Sequence, residues 1–89
     1  MATTADSVRR RTFTRTKWRE GYAPDEVDAF LERVALTLEA HPDGSGPVDA
    51  DTIVQVRFAP TKFRAGYDQD EVDDFLDEVV ATLRWHEDR

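Results

Sequence analysis

Residues 61–79, TKFRAGYDQDEVDDFLDEV, contain the pattern on which the fold depends. A Lys-aromatic-Arg segment is followed by Gly-Tyr, and an acidic run then opens a helical pattern. Residues 16–34, TKWREGYAPDEVDAFLERV, present the same residue types in the same order. The chain is therefore expected to contain two copies of one structural unit, each with an aromatic side chain beside a cation in a loop.

The repeat has a period of 45 residues. Aligning Phe13–Leu38 with Phe58–Leu83 gives identical residues at 15 of the 26 positions. The sequence therefore predicts a first repeat over residues 1–40, which includes a basic N-terminal segment, and a second repeat over 50–89. A Pro/Gly-rich linker is expected over 41–49, because proline and glycine interrupt regular structure.

Each repeat is predicted to consist of a short helix, a loop and a long helix. In the second repeat these cover 51–57, 58–67 and 69 onward. Each long helix carries one apolar stripe with helical spacing, which must be buried. The fold class expected is all-α, with the two long helices paired in a coiled-coil-like or small-bundle arrangement. The predicted helix-pairing core consists of Val27, Phe30, Leu31, Val34, Leu38, Val72, Phe75, Leu76, Val79 and Leu83.

The two long helices can pair in two ways. Parallel pairing within one chain requires the linker to return along a helix of ~24 Å. Residues 41–50 can extend ~33 Å, which is sufficient. The sequence favours intrachain pairing, and a homodimer formed by copies from two chains is the alternative.

Local signals are expected at the start of each long helix. Asp68 and Glu71 form a D-x-x-E pattern that predicts a capping box, whereas Ala23 stands at the equivalent position of the first repeat and cannot cap through its side chain. Pro24 is suited to the first helical position. The Gly-Tyr pairs are expected to need positive φ at glycine, with half-buried tyrosines folding back on their own helices and their hydroxyls pointing outward.

Composition and charge exclude several classes of protein. The 89 residues contain no cysteine, so disulfides and thiolate metal sites are not expected. No apolar run approaches the ~20 residues of a membrane span, and no secretory signal is recognisable, so a cytoplasmic protein is expected. Residues 1–19 carry a net charge of +5 and residues 20–89 carry −12, a field that repels nucleic acid.

The sequence contains no recognisable catalytic or metal-binding constellation. The acidic segment beginning at Asp68 fails the EF-hand pattern, because Val72 stands at its fifth position and Asp73 at its sixth, where glycine is required. His41 and His86 belong to no recognisable arrangement with a nucleophile or an acid. We therefore expect a non-enzymatic protein without metal or cofactor.

The loop residues Trp18 and Phe63 allow two interpretations. They fill the gap between the repeats, as most aromatic residues in small domains pack, and the residues alone favour this interpretation. Alternatively, each aromatic enters a membrane interface while the cations beside it meet lipid phosphates.

The pattern F-x-x-T-K-aromatic-R-x-G-Y-x-x-D-E-V-D-x-F-L resembles the N-terminal domain of the DivIVA family, bacterial scaffolds of cell division and polar growth. The second copy matches from Phe58 through Leu83, and the first from Phe13 through Leu38 with a departure at Ala23. Both copies also depart from the family form by one extra residue, Glu20 or Ala65, between the basic residue and glycine.

The resemblance implies a scaffold or adaptor that associates peripherally with the inner face of the cell membrane. It implies as partners an anionic membrane surface and other proteins of the division or growth machinery, and no nucleic acid. The alternative is a soluble protein–protein interaction module without membrane binding. The implied membrane-contact residues are Lys17, Trp18, Arg19, Lys62, Phe63 and Arg64.

Overall fold

The computed structural model describes residues 3–87, and its elements recur with the period of the sequence. Residues 1–2 and 88–89, which the predicted repeats include, lie outside the described residues. The helices and strands are, in chain order, α1 (Ala5–Arg10), β1 (Arg15–Thr16), β2 (Gly21–Tyr22), α2 (Pro24–Ala40), α3 (Ala50–Gln55), β3 (Pro60–Thr61), β4 (Gly66–Tyr67) and α4 (Gln69–Glu87).

The prediction of an all-α fold is wrong, because the segments expected to be loops contain four short strands that form one antiparallel sheet. The strand order is β1-β4-β2-β3. Each outer strand pairs with a strand of the other repeat, and the central strands place Tyr22 opposite Tyr67. The protein is therefore a small α+β fold in which the two repeats exchange strands.

Backbone hydrogen bonds beyond the strands extend this exchange. The Asp68 amide donates to the Thr14 carbonyl at 2.8 Å, and the Thr14 amide donates to the Glu71 carboxylate at 3.0 Å. In the same way, the Ala59 carbonyl accepts from the Ala23 amide and the Ala59 amide donates to the Glu26 carboxylate, each at 2.9 Å. Each repeat thus satisfies backbone groups that the other repeat cannot satisfy alone.

The long helices α2 and α4 run side by side in the same direction, since each begins after one of the two central strands. The Tyr22 hydroxyl donates to Asp73 and the Tyr67 hydroxyl donates to Asp28, both at 2.8 Å. The tyrosines are half-buried. The prediction that each tyrosine folds back on its own helix is wrong, because each hydroxyl binds the long helix of the other repeat.

The opposite end of the helix pair is formed by the linker and the end of α4. The Ala50 amide donates to the Glu87 carboxylate at 3.3 Å, and Gly44 lies directly against His86. The two repeats therefore pair within one chain, and the linker lies at the far end from the sheet. The molecule measures 44 × 22 × 20 Å.

The hydrophobic core lies between the long helices and is closed by the short helices. Val8 of α1 and Ile53 of α3 are buried in it. The Phe13 ring lies 6.0 Å from the Phe75 ring, so aromatic packing also crosses between the repeats. The ten positions predicted for the helix-pairing core are all buried, namely Val27, Phe30, Leu31, Val34, Leu38, Val72, Phe75, Leu76, Val79 and Leu83.

The glycines of the Gly-Tyr pairs allow the backbones of the two central strands to approach closely. The prediction of positive φ at Gly21 and Gly66 is wrong, since among the described glycines a positive φ occurs at Gly44. A Cβ on Gly21 would lie 2.8 Å from the Tyr67 carbonyl oxygen. Glycine is therefore required there because the central strands leave no room for a side chain.

Tyr22 and Tyr67, the two tyrosines of the chain, should titrate late in the folded protein. Burial, and after it the hydrogen bond to Asp73, raises the pKa of Tyr22 to about 12, and burial also raises the pKa of Tyr67. Because folding favours the neutral phenols, their stabilisation is present below the unfolded pKa of about 10 and is lost as the pH rises through the folded values.

Tyrosinate absorbance after a rapid pH jump measures this titration before the chain unfolds. We expect the midpoint for native protein to lie above that of the same chain in urea. Coincident midpoints would show that the hydroxyls do not make these contacts.

Candidate functional site

The loops that join β1 to β2 and β3 to β4, residues 17–20 and 62–65, form one surface that we call the tip. It extends from the sheet, at the end of the molecule away from the linker, because both long helices start at the sheet. The Lys62 ammonium lies 4.0 Å from the Glu20 carboxylate and so joins the loops. The tip therefore brings together all six residues expected to contact a membrane.

Trp18 and Phe63 are the most exposed large apolar residues described, each with 96% of its surface accessible. The interpretation that they fill the gap between the repeats is wrong, because other aromatic residues occupy the core. Phe63 also has a φ of 61°, a left-handed conformation that is uncommon for a bulky residue. Neither side chain contributes buried area to the fold, so their apolar surface is available to another molecule.

The tip differs in charge from the rest of the molecule. Its eight residues hold four cations and one carboxylate, a net charge of +3, whereas the other 81 residues carry −10. Strong segregation of charge orients a protein in the field of a charged surface. An anionic surface would therefore attract the tip and repel the sides.

One of the two tip arginines is already bound. The Arg19 guanidinium forms an ion pair with Asp68, which is 7% exposed and belongs to the other repeat. The hydrogen bond from the Glu71 amide holds the pKa of Asp68 below its usual range, burial acts against it, and Arg19 adds to the lowering. The positive charge of Arg19 is thus largely matched by a carboxylate.

Arg64, the counterpart of Arg19, has no such carboxylate. The position equivalent to Asp68 is Ala23, and Arg64 forms no ion pair among residues 3–87. Both arginines are exposed. The two loops are therefore alike in sequence and unequal in the positive charge that they offer.

The same difference affects the helix N-termini. Asp68 accepts from the Glu71 amide at 3.1 Å and so caps α4, while α2 has no side-chain cap at Ala23 and begins with Pro24, as predicted. The predicted capping box is wrong in its second half, because the Glu71 carboxylate accepts from Thr14 of the other repeat. The acidic pattern therefore also connects the two repeats.

Sequence reasoning missed the partners of two tip residues, Arg19 and Glu20. Both partners, Asp68 and Lys62, come from the other repeat, 49 and 42 positions away along the chain. The available signal was the 45-residue alignment, in which Asp68 stands opposite Ala23 and marks an unequal pair of loops.

No protein-family model, curated protein or solved structure matches this chain. Within residues 3–87, none of the helices combines the length and apolar character needed to cross a bilayer.

Substitutions at the two cap positions should change stability in opposite directions. Asp68→Ala removes both the cap of α4 and the partner of Arg19, and is expected to lower the melting temperature by roughly 4–8 °C. Ala23→Asp supplies the missing cap of α2 and should raise it. Thermal unfolding followed by circular dichroism measures both changes.

Asp74→Ala is the matched control, because Asp74 is exposed and the first repeat has Ala29 at the same position. Its melting temperature should stay close to that of the wild type. If the wild type and the three variants all have the same melting temperature, the capping role of Asp68 is contradicted.

Proposed function

We propose that this protein is a non-enzymatic, DivIVA-like scaffold or adaptor that associates peripherally with anionic membrane through the tip. The observation that carries the proposal is the exposure of Trp18 and Phe63, 96% each, on one cationic surface. The family resemblance of both repeats supports a role in bacterial cell division or polar growth.

The composition of the tip fits a membrane interface. Aromatic side chains enter the boundary between headgroups and acyl chains, and lysine and arginine beside them meet lipid phosphates. Lys17 and Arg64 are exposed and form no ion pair among the described residues, so their charges are available for phosphate. A tip used only for folding would need neither exposed aromatics nor unpaired cations.

Two loops are needed for useful affinity. Burying one aromatic side chain contributes ~1.5–3 kcal/mol, and each cation near an anionic leaflet contributes ~1 kcal/mol. One loop then provides ~4 kcal/mol, which corresponds to millimolar binding. Two loops held on one sheet bind together, and the effective concentration of the second raises the affinity.

The acidic remainder of the molecule determines its orientation. Because the residues outside the tip carry a net charge of −10, anionic lipid repels the sides of the molecule. Binding is expected to require the tip to face the membrane and to weaken as salt screens the attraction. In this orientation the helices project from the membrane and remain open to protein partners.

The proposal predicts that the wild-type protein sediments with vesicles rich in phosphatidylglycerol and that the double variant Trp18→Ser, Phe63→Ser does not. The variant loses the apolar insertion, while its fold is kept because both side chains are exposed. Co-sedimentation at low and at physiological salt measures binding, and circular dichroism checks the fold.

The control is the double variant Leu36→Ser, Val54→Ser, which removes two exposed apolar side chains outside the tip. It should sediment as the wild type does, and vesicles of phosphatidylcholine should bind neither protein. If wild-type protein stays in the supernatant at both salt concentrations, the membrane role is refuted.

Because Asp68 pairs with Arg19 and no carboxylate pairs with Arg64 among the described residues, the two arginines should contribute differently to vesicle binding. Arg64→Gln should weaken vesicle binding about fivefold, as expected for one cation near the surface. Arg19→Gln should weaken it less, because Asp68 already matches the charge of Arg19. A titration of vesicles against each variant measures the difference, and equal losses would contradict the pairing of Arg19 as the cause.

A further inference from the structure

The side of the molecule between α3 and α4 contains an open groove of about 470 Å³, which we call the valine groove. Its lining combines apolar side chains with charged ones. Val54 is 51% exposed, and Val56 and Val80 are partly exposed beside it. The lining includes Ile53, Val54, Val56, Leu76, Asp77 and Val80, together with further aromatic and charged side chains.

In the first repeat, cationic side chains occupy part of the equivalent groove. Between α1 and α2 the equivalent groove is smaller, about 310 Å³. Arg9 lies across it and pairs with Glu39 at 2.6 Å and with Glu32 at 3.3 Å. Arg11 lies over the Phe13 ring at 5.2 Å. Two arginines thus line the groove of the first repeat, which is the smaller of the two.

The second repeat lacks both of these cations. By the 45-residue register, Val54 replaces Arg9 and Val56 replaces Arg11. Of the two acidic partners of Arg9, Glu32 is kept as Asp77, whereas Glu39 is replaced by Arg84. Asp77 forms no ion pair among residues 3–87. The valine groove therefore places exposed valines beside the carboxylate of Asp77.

Arg57 also lines the groove, but its guanidinium is bound to the backbone at the end of α3. It donates to the Val54 carbonyl at 3.2 Å and to the Val56 carbonyl at 2.8 Å. Within residues 3–87 it forms no ion pair with Asp77. The carboxylate of Asp77 is therefore left for a cation from another molecule.

We propose that the valine groove binds a short amphipathic helical segment of a partner protein that carries apolar residues and an arginine or lysine. The apolar side chains would cover the valines, and the cation would meet Asp77 as Arg9 meets Glu32. Grooves between helices bind amphipathic helices through anchors spaced by one turn. The net charge of −10 outside the tip attracts a cationic segment from a distance.

The position of the groove makes this binding compatible with a tip-bound state. Val80 lies 11 residues into α4, about 16 Å along the helix from the sheet. The inference itself rests on the comparison of the two repeats and stands whether or not the tip binds lipid.

A random library of displayed 12-residue peptides, selected on the full-length wild-type protein at physiological salt, tests the proposal. Val54→Arg is the counter-selection variant, because an arginine there would occupy part of the groove, as Arg9 does in the first repeat, and is tolerated in an exposed helical position. Circular dichroism of this variant checks that its fold is kept. Amide shifts of labelled protein map where the selected peptides bind.

We expect the selected peptides to combine apolar residues with a cation and to shift the amides of Val54, Asp77 and Val80. Affinity should fall more than tenfold with Val54→Arg and up to about fivefold with Asp77→Asn, as for the loss of an exposed ion pair. The variant Leu36→Ser, outside the groove, should bind normally. Asp77→Asn also keeps the test valid if Val54→Arg does not fold.

Three results would overturn the proposal. The first is a selection that yields no peptide able to distinguish the wild type from the groove variants. The second is a set of selected peptides that lack cations. The third is self-association of the wild-type protein that Val54→Arg abolishes, because a second copy of the chain would then be the occupant.

Discussion

The exchange of strands and backbone hydrogen bonds between the repeats is the constraint on which the remaining structure depends. Each strand has two residues, which is too short to be stable in a single repeat. The Thr14 backbone is hydrogen-bonded to Asp68 and Glu71 of the second repeat. The Ala59 backbone is hydrogen-bonded to Ala23 and Glu26 of the first repeat. Because each repeat completes the other, the long helices start side by side and must share one core.

This near-symmetry makes the departures from it informative. Positions 45 residues apart occupy equivalent environments, so a difference in residue type shows a difference in role. Asp68 opposite Ala23 gives one tip arginine a partner and leaves the other without one. Val54 opposite Arg9 leaves the groove of the second repeat larger than that of the first. Duplication within one chain allows the two halves to diverge, which identical subunits of a dimer cannot do.

The proposed roles use separate parts of the molecule. The tip concentrates exposed aromatics and cations at one end, and the acidic helices carry the opposite charge. Attraction of the tip and repulsion of the sides by anionic lipid would hold the helices away from the membrane. The valine groove then faces the surrounding solution, where the carboxylate of Asp77 favours a cationic partner. Membrane and partner would not compete for the same surface.

The sequence by itself determined the repeat, the extents of the long helices, their buried stripe and the missing cap at Ala23, because these depend on spacing along a few turns of helix. The two segments carrying Trp18 and Phe63 stand out through their repetition, although the residues alone favour packing between the repeats. Only the tertiary structure decided that the loops contain strands, that Gly21 lies against the Tyr67 carbonyl, and that Trp18 and Phe63 are exposed. It also supplied Thr14 as the partner of Glu71 and Asp68 as the partner of Arg19. These contacts join residues of different repeats, so their geometry is set when the two halves fold together.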